Sequence, residues 1–206
     1  MLFSDIRGFT TLSESLSPAE VGYFLNHYFS RMLDILFRFD GTLDKLMGDA
    51  VMGFFNAPVR MKDHAERAAE TALLMTAELP DIRRNIRVPG AETLDIGIGL
   101  NTGPVTAGNL GSKSFADYTV IGDTVNTGSR LEGMNKLYGT NILCGPETRS
   151  QISGGFLTRN VDAVRVKGRS DPLEIYEILG KASGETPGWI SNFDKARDQY
   201  RSREFR

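Results

Sequence analysis

Two acidic residues have the placement of metal ligands. Asp5 follows the apolar run Met1-Leu2-Phe3, where a strand ends, and Asp49 follows Gly48 in a tight turn between two strand-like stretches. Either alone is unremarkable, because Asp after Gly commonly serves turn geometry. On adjacent strands the two would supply the small number of oxygen ligands that Mg²⁺ accepts when substrate phosphates complete its shell. A two-metal site of that kind activates an attacking oxygen and neutralises departing phosphates.

Other residues could join such chemistry. Gly8-Phe9-Thr10 stands at a helix start, where unpaired backbone N–H groups favour anions; a simple glycine turn would look the same. Lys45, Met47 and Asp49 fall on one side of a strand by period-two alternation. Lys45 is therefore either a substrate contact or a solvated strand lysine. Asn126 and Arg130 are four apart on a predicted helix and share a face. They suit a ribose and a polyphosphate, or form a solvated polar stripe. Val166-Lys167-Gly168-Arg169 is a basic turn that holds a phosphate or keeps a hairpin soluble. His27 and His64 read as surface or capping residues, and no Cys/His metal spacing, Ser-His-Asp arrangement or P-loop is present.

The elements that must position these residues follow from periodicity. Ser17-Pro18-Ala19-Glu20 has the form of a capping box with proline at the first helical position. Val21, Phe24, Leu25, Tyr28, Met32, Ile35, Leu36 and Phe39 continue it at helical spacing, and Asp40-Gly41 ends it. Residues 42–48 and 50–55 read as a hairpin. A helix opens at Asp63-His64-Ala65-Glu66 and is expected to stop at Pro80, with an irregular loop over 81–92. Leu94, Ile96, Ile98 and Leu100 alternate as a half-buried strand, with residues 105–110 as its expected hairpin partner. A short strand at 118–121, a helix over 124–138 closed by Gly139, and strands at 142–144, 157–167 and 173–179 complete the domain. Residues 181–206 read as a linker and a charged amphipathic tail, leaving 1–180 as the domain proper. The order implies an α+β fold with a ferredoxin-like βαββαβ core and additional C-terminal strands and helices.

Composition narrows the class. The 206 residues are 40% hydrophobic and 24% charged, with a net charge of −2. That balance gives no general case for nucleic acid or an anionic membrane as partner, so any phosphate site must be local. Cys144 is the single cysteine, which excludes an intrachain disulfide. No apolar run approaches the length of a membrane span. The expected setting is cytoplasmic. The abrupt start suggests a domain cut from a longer protein, with any membrane attachment lying in the missing N-terminal region.

Three motifs then fall in order: Phe3-Ser4-Asp5-Ile6-Arg7-Gly8-Phe9-Thr10, Lys45-Leu46-Met47-Gly48-Asp49, and Thr119-Val120-Ile121-Gly122-Asp123-Thr124-Val125-Asn126-Thr127-Gly128-Ser129-Arg130. Together, from about Leu2 to Leu179, they resemble the catalytic domain of class III nucleotidyl cyclases. The resemblance implies that Asp5 and Asp49 ligate two Mg²⁺ or Mn²⁺ ions, with the Ile6 carbonyl as a further ligand. It implies that Phe9 and Thr10 amides hold the terminal phosphates and that Lys167 contacts them. Lys45 and Thr119 would read the base, Asn126 would orient the ribose, and Arg130 would stabilise charge on the α-phosphate.

Lys45 can donate to the adenine ring nitrogen and Thr119 can accept from the exocyclic amine. A guanylyl enzyme is expected to be acidic at position 45, so the implied substrate is ATP and the product cyclic AMP. The sites would lie between two chains packed head to tail as a homodimer. Many family members carry aspartate where Thr119 stands; threonine resembles a subgroup that often responds to bicarbonate, so bicarbonate activation is expected. In the Thr102-Gly103-Pro104 turn, proline replaces an arginine of some eukaryotic members. The rival implications are a guanylyl cyclase and a catalytically silent nucleotide-binding regulator. A diguanylate cyclase lacks support, because its signature motif is absent.

Overall fold

The computed structural model describes residues 1–112, 114, 116–152, 154–165, 172–185 and 187–203. Strand β1 (Leu2–Ile6) leads through a short helix α1 (Phe9–Glu14) into the long helix α2 (Pro18–Arg38). The capping box forms as expected: the Glu20 N–H donates to Ser17 Oγ at 3.3 Å, and the Ser17 N–H donates to Glu20 at 2.8 Å. Strands β2 (Thr42–Met47) and β3 (Ala50–Phe54) make the hairpin, turning at Gly48 with φ of +64°. Helix α3 (His64–Asn85), strand β4 (Ile96–Leu100), strands β5 (Thr106–Gly111) and β6 (Ala116–Ile121), and helix α4 (Asp123–Tyr138) follow. Strand β7 (Ile142–Cys144), helix α5 (Pro146–Gln151), strands β8 (Phe156–Val164) and β9 (Leu173–Lys181), and helix α6 (Gly188–Arg201) complete the chain.

Seven strands form one sheet in the order β2-β3-β1-β4-β7-β9-β8. Its first four have the ferredoxin-like arrangement, with β1 flanked antiparallel by β3 and β4. Helices α2 and α3 cover one face. Phe24, Tyr28, Met32 and Leu36 of α2 and Ala69, Ala72 and Met75 of α3 join Leu2, Ile98 and Leu100 in the main core. Helix α4 covers the other face, with Leu131 against Leu143 and Ile175.

Three expectations are corrected, and one helix is added. β4 is buried along its whole length, because α4 covers the face that shows only Gly97 and Gly99 between the apolar residues. A Cβ at Gly99 would collide with the Gly128 and Glu132 backbone, so glycine permits the close approach. Residues 105–110 do not pair with β4; β5 pairs with β6 in a separate two-stranded sheet, and β4 takes β1 and β7 as neighbours. Pro80 lies inside α3 rather than ending it, so 81–85 are helical. An interior proline costs about 3 kcal/mol; burial of Leu79 and Ile82, with Arg83 Nε donating to the Leu94 carbonyl at 2.7 Å, holds the last turn in place. Helix α5 was not expected, being too short at six residues to show a period.

In the C-terminal segment, α6 lies on β8. The Arg159 guanidinium sits over the rings of Trp189 and Phe193, and Arg197 donates to the Asn160 carbonyl at 2.9 Å.

Candidate active site at the end of β1

Alternation along β1 sends Leu2, Ser4 and Ile6 toward α2, where Ser4 Oγ meets Tyr28 Oη at 3.4 Å, and Phe3 toward α4. Asp5 shares the α4 side and is paired in register with Gly97. The antiparallel register with β3 brings the Gly48-Asp49 turn alongside. The Ile6 N–H donates to Asp5 Oδ1 at 3.1 Å and to Asp49 Oδ2 at 3.3 Å. The carboxylates foreseen as a pair are therefore a pair in space.

Burial, then the adjacent Asp5, pushes Asp49 up to about 6. Glu132 of α4 is pushed up to about 7, first by burial and then by the charge of Asp5, with Arg7 pulling the other way. It lies over β4, where a Cβ at Gly97 would come within 2.8 Å of its carboxylate. Glu132 was missed from sequence; the Gly97-x-Gly99 alternation was the signal that a helix approaches closely there. Arg7 Nε is 3.3 Å from Asp95 without hydrogen-bond alignment, and its guanidinium donates to the Thr140 carbonyl. Among the described residues, no three His, Cys, Asp or Glu side chains converge as a ready cage for a metal ion. A crowded pair of carboxylates is the donor set of a hard divalent cation that retains other oxygen ligands, so the site fits Mg²⁺ or Mn²⁺.

Phe9 and Thr10 open α1 behind Gly8, whose φ is +69°. The Leu12 N–H to the Gly8 carbonyl marks where helical bonding begins, so the Phe9 and Thr10 N–H groups precede it. The Phe9 ring stacks on Phe24 with centroids 6.0 Å apart, which anchors the turn.

The base-reading candidates meet through a residue that sequence reasoning passed over. A bulge between Leu43 and Lys45 leaves Asp44 out of register with β3 and turns its carboxylate inward. The Asp44 side chain is 0% exposed and that of Lys45 is 42% exposed. Asp44 Oδ2 accepts from the Thr119 hydroxyl at 2.6 Å and from the Val120 N–H at 3.3 Å. Lys45 Nζ lies 2.9 Å from Oδ1, an ion pair too poorly aligned to count as a hydrogen bond.

Asn126 and Arg130 share α4, Asn126 exposed and Arg130 half-buried. Arg130 Nη1 is buried without a hydrogen-bond partner among the described residues. No hydrogen bond or ion pair joins Asn126 or Arg130 to Asp5 or Asp49 within the described chain. The Pro104 carbonyl accepts from Thr124 Oγ1 at 2.8 Å, so the departed turn braces the start of α4. Lys167 lies outside the described residues. A cleft of about 820 Å³ lined by Phe54, Asn56, His64, Asn101 and Gln151 contains none of the candidate residues. No helix among the described residues is long and apolar enough to cross a membrane.

Comparison with known proteins agrees with this geometry. The chain is 39% identical over 179 residues to adenylate cyclase 1 of Rhizobium meliloti (strain 1021), covering 87% of this chain and 27% of that protein. It thus spans about a quarter of that relative's length. The crystal structure of the adenylyl cyclase CyaB from P. aeruginosa superposes with a TM-score of 0.78 at 36% identity, over 91% of this chain and 95% of that one. The guanylyl cyclase Cya2 superposes equally well, with a TM-score of 0.79 at 35% identity, over 88% of this chain and 91% of that one. The family model for the adenylate and guanylate cyclase catalytic domain matches residues 1–180. This chain is therefore a member of the class III nucleotidyl cyclase catalytic domain family.

Proposed function

We propose that the chain is an adenylyl cyclase that converts ATP to 3′,5′-cyclic AMP and pyrophosphate. The observation that carries the proposal is the convergence of Asp5 and Asp49 on one backbone donor. Lys45, rather than an acidic residue, favours adenine over guanine.

Asp5, Asp49 and the Ile6 carbonyl would hold two divalent ions, Mg²⁺ or Mn²⁺. When bound, such ions supply a more acidic 3′-hydroxyl and positive charge for the departing phosphates. The Phe9 and Thr10 amides, with Lys167, hold the β- and γ-phosphates, and Asn126 orients the ribose. The 3′-oxygen, having released its proton to solvent, bonds to the α-phosphorus as the bond to the bridging oxygen breaks and pyrophosphate leaves. Arg130 stabilises the charge that builds on the α-phosphate.

Two chains packed head to tail complete the sites. Asp5 and Asp49 come from one protomer, and Lys45, Thr119, Asn126 and Arg130 from its partner, since Asp44 joins Lys45 and Thr119 within one chain. The missing intrachain link between Arg130 and the acid pair supports this, as do exposed Leu46, Met47, Tyr118 and Ile121 beside the base-reading residues. The domain ends near residue 180, with 181–206 as a linker and tail. Thr119 resembles the subgroup whose members often respond to bicarbonate, so bicarbonate is expected to raise turnover.

The test is to incubate the purified chain with ATP or GTP and Mg²⁺ or Mn²⁺ and to identify the product. Cyclic AMP with pyrophosphate is expected. Preferred cyclic GMP would make it a guanylyl cyclase, and no metal-dependent pyrophosphate would make it a silent regulatory domain.

A further inference from the structure

The Thr119 hydroxyl is an ambiguous reader of bases. A free hydroxyl rotates, donating to the guanine carbonyl as readily as it accepts from the adenine amine. In this structure that choice is already made. Thr119 Oγ1 donates to the Asp44 carboxylate at 2.6 Å, a short bond to a side chain that is 0% exposed. The same carboxylate oxygen takes the Val120 N–H at 3.3 Å, which fixes its position against β6. The bulge at Asp44 makes this possible, because a regular strand would turn residues 44 and 45 to opposite faces.

We infer that Asp44 is a specificity-determining positioning residue: by holding the Thr119 hydroxyl hydrogen, it leaves only a lone pair at Thr119 to meet the base. Thr119 is half-buried, so that lone pair remains open to a ligand. An acceptor there matches the adenine amine and opposes the guanine carbonyl. The Asp44 carboxylate also pairs with Lys45 at 2.9 Å, so one acid sets the surroundings of both base-reading positions. The inference deepens the proposed function and rests on Lys45 and Thr119 meeting the base.

The experiment measures kcat/KM for ATP and for GTP in the wild-type protein and in Asp44→Ala, since asparagine would keep an acceptor for the Thr119 hydroxyl. A purely structural role lowers both nucleotides together. The inference requires the ATP-to-GTP ratio itself to fall, by roughly ten- to hundredfold, the worth of one hydrogen bond in a buried site. Thr119→Ser, which keeps the hydroxyl, should hold the ratio near wild type. In a Thr119→Val background, Asp44→Ala should move it far less, leaving only what Asp44 does through Lys45. An unchanged ratio in a folded Asp44→Ala protein overturns the inference while leaving the adenylyl cyclase proposal standing. A wild-type chain that cyclises neither nucleotide overturns that proposal and this inference with it. If Asp44→Ala does not fold, a crystal structure of the wild-type protein with 3′-deoxy-ATP decides. Thr119 Oγ1 bridging Asp44 and the adenine amine supports the inference; Asp44 turned away from Thr119 overturns it.

Discussion

Asp5 and Asp49 accept from a single backbone donor, the Ile6 N–H, at 3.1 and 3.3 Å. Residues forty-four positions apart thus converge because β3 lies antiparallel beside β1. One N–H cannot offset two carboxylates, so the pair carries an excess of negative charge that a divalent cation would relieve.

Removing either acid should abolish turnover. Asp5→Ala and Asp49→Ala are each expected to lower kcat/KM by at least about a hundredfold, since metal-borne charge stabilisation is worth several kcal/mol. Product assays with Mg²⁺ and with Mn²⁺ measure this. Activity like that of the parent in either variant would sink the two-metal assignment.

The crowding also predicts a pH dependence of stability. Asp49 is raised from 3.8 to about 6, and Glu132 from 4.5 to about 7. Between the ordinary and raised values the folded chain binds more protons than the unfolded one. Metal-free stability should therefore fall as pH rises through that window. The melting temperature should be higher near pH 5 than near pH 7. Added Mg²⁺ should raise it more at pH 7 than at pH 5. Asp49→Asn should flatten the profile and remove most of the Mg²⁺ response. A Tm that climbs with pH over this range would contradict the placement of these groups.

Arg130→Ala should lose kcat by about 10²- to 10³-fold while KM changes little, the signature of a group acting in the transition state. Mixing Asp5→Ala with Arg130→Ala protein should restore part of the activity through one intact shared site. No recovery at any mixing ratio would count against a head-to-tail pair.

Gly99→Ala should destabilise the fold by ~1–3 kcal/mol, because its methyl group meets the α4 backbone. Gly133→Ala on the same helix, where an added methyl group meets nothing within 4 Å, should instead stabilise it by ~0.5–1 kcal/mol. Urea unfolding of the two variants provides the comparison. Equal effects would mean that α4 does not sit on β4 as described.

Much of this site was legible in the sequence because its parts are local. The capping box of α2 and the Gly48-Asp49 turn depend on residues within a few positions of one another, and the structure reproduces both. Pairing over distance was not legible. The partner of β4 was misassigned because β5 lies next in sequence, whereas β7 arrives only after α4. Asp44 looked like an ordinary strand residue, since its role needs a bulge and a hairpin from some seventy residues away. Pro80 was read as a stop because local propensity ignores the core that Leu79 and Ile82 enter on either side of it.

Thr119 rides on the two-stranded sheet of β5 and β6, whereas Asp5, Lys45 and Asp49 belong to the seven-stranded sheet. Under the proposed reading, base recognition is divided between the two sheets, Lys45 on the larger and Thr119 on the smaller, and the two meet at Asp44. Substitutions confined to the smaller sheet are therefore expected to shift base preference while leaving the Asp5–Asp49 pair in place.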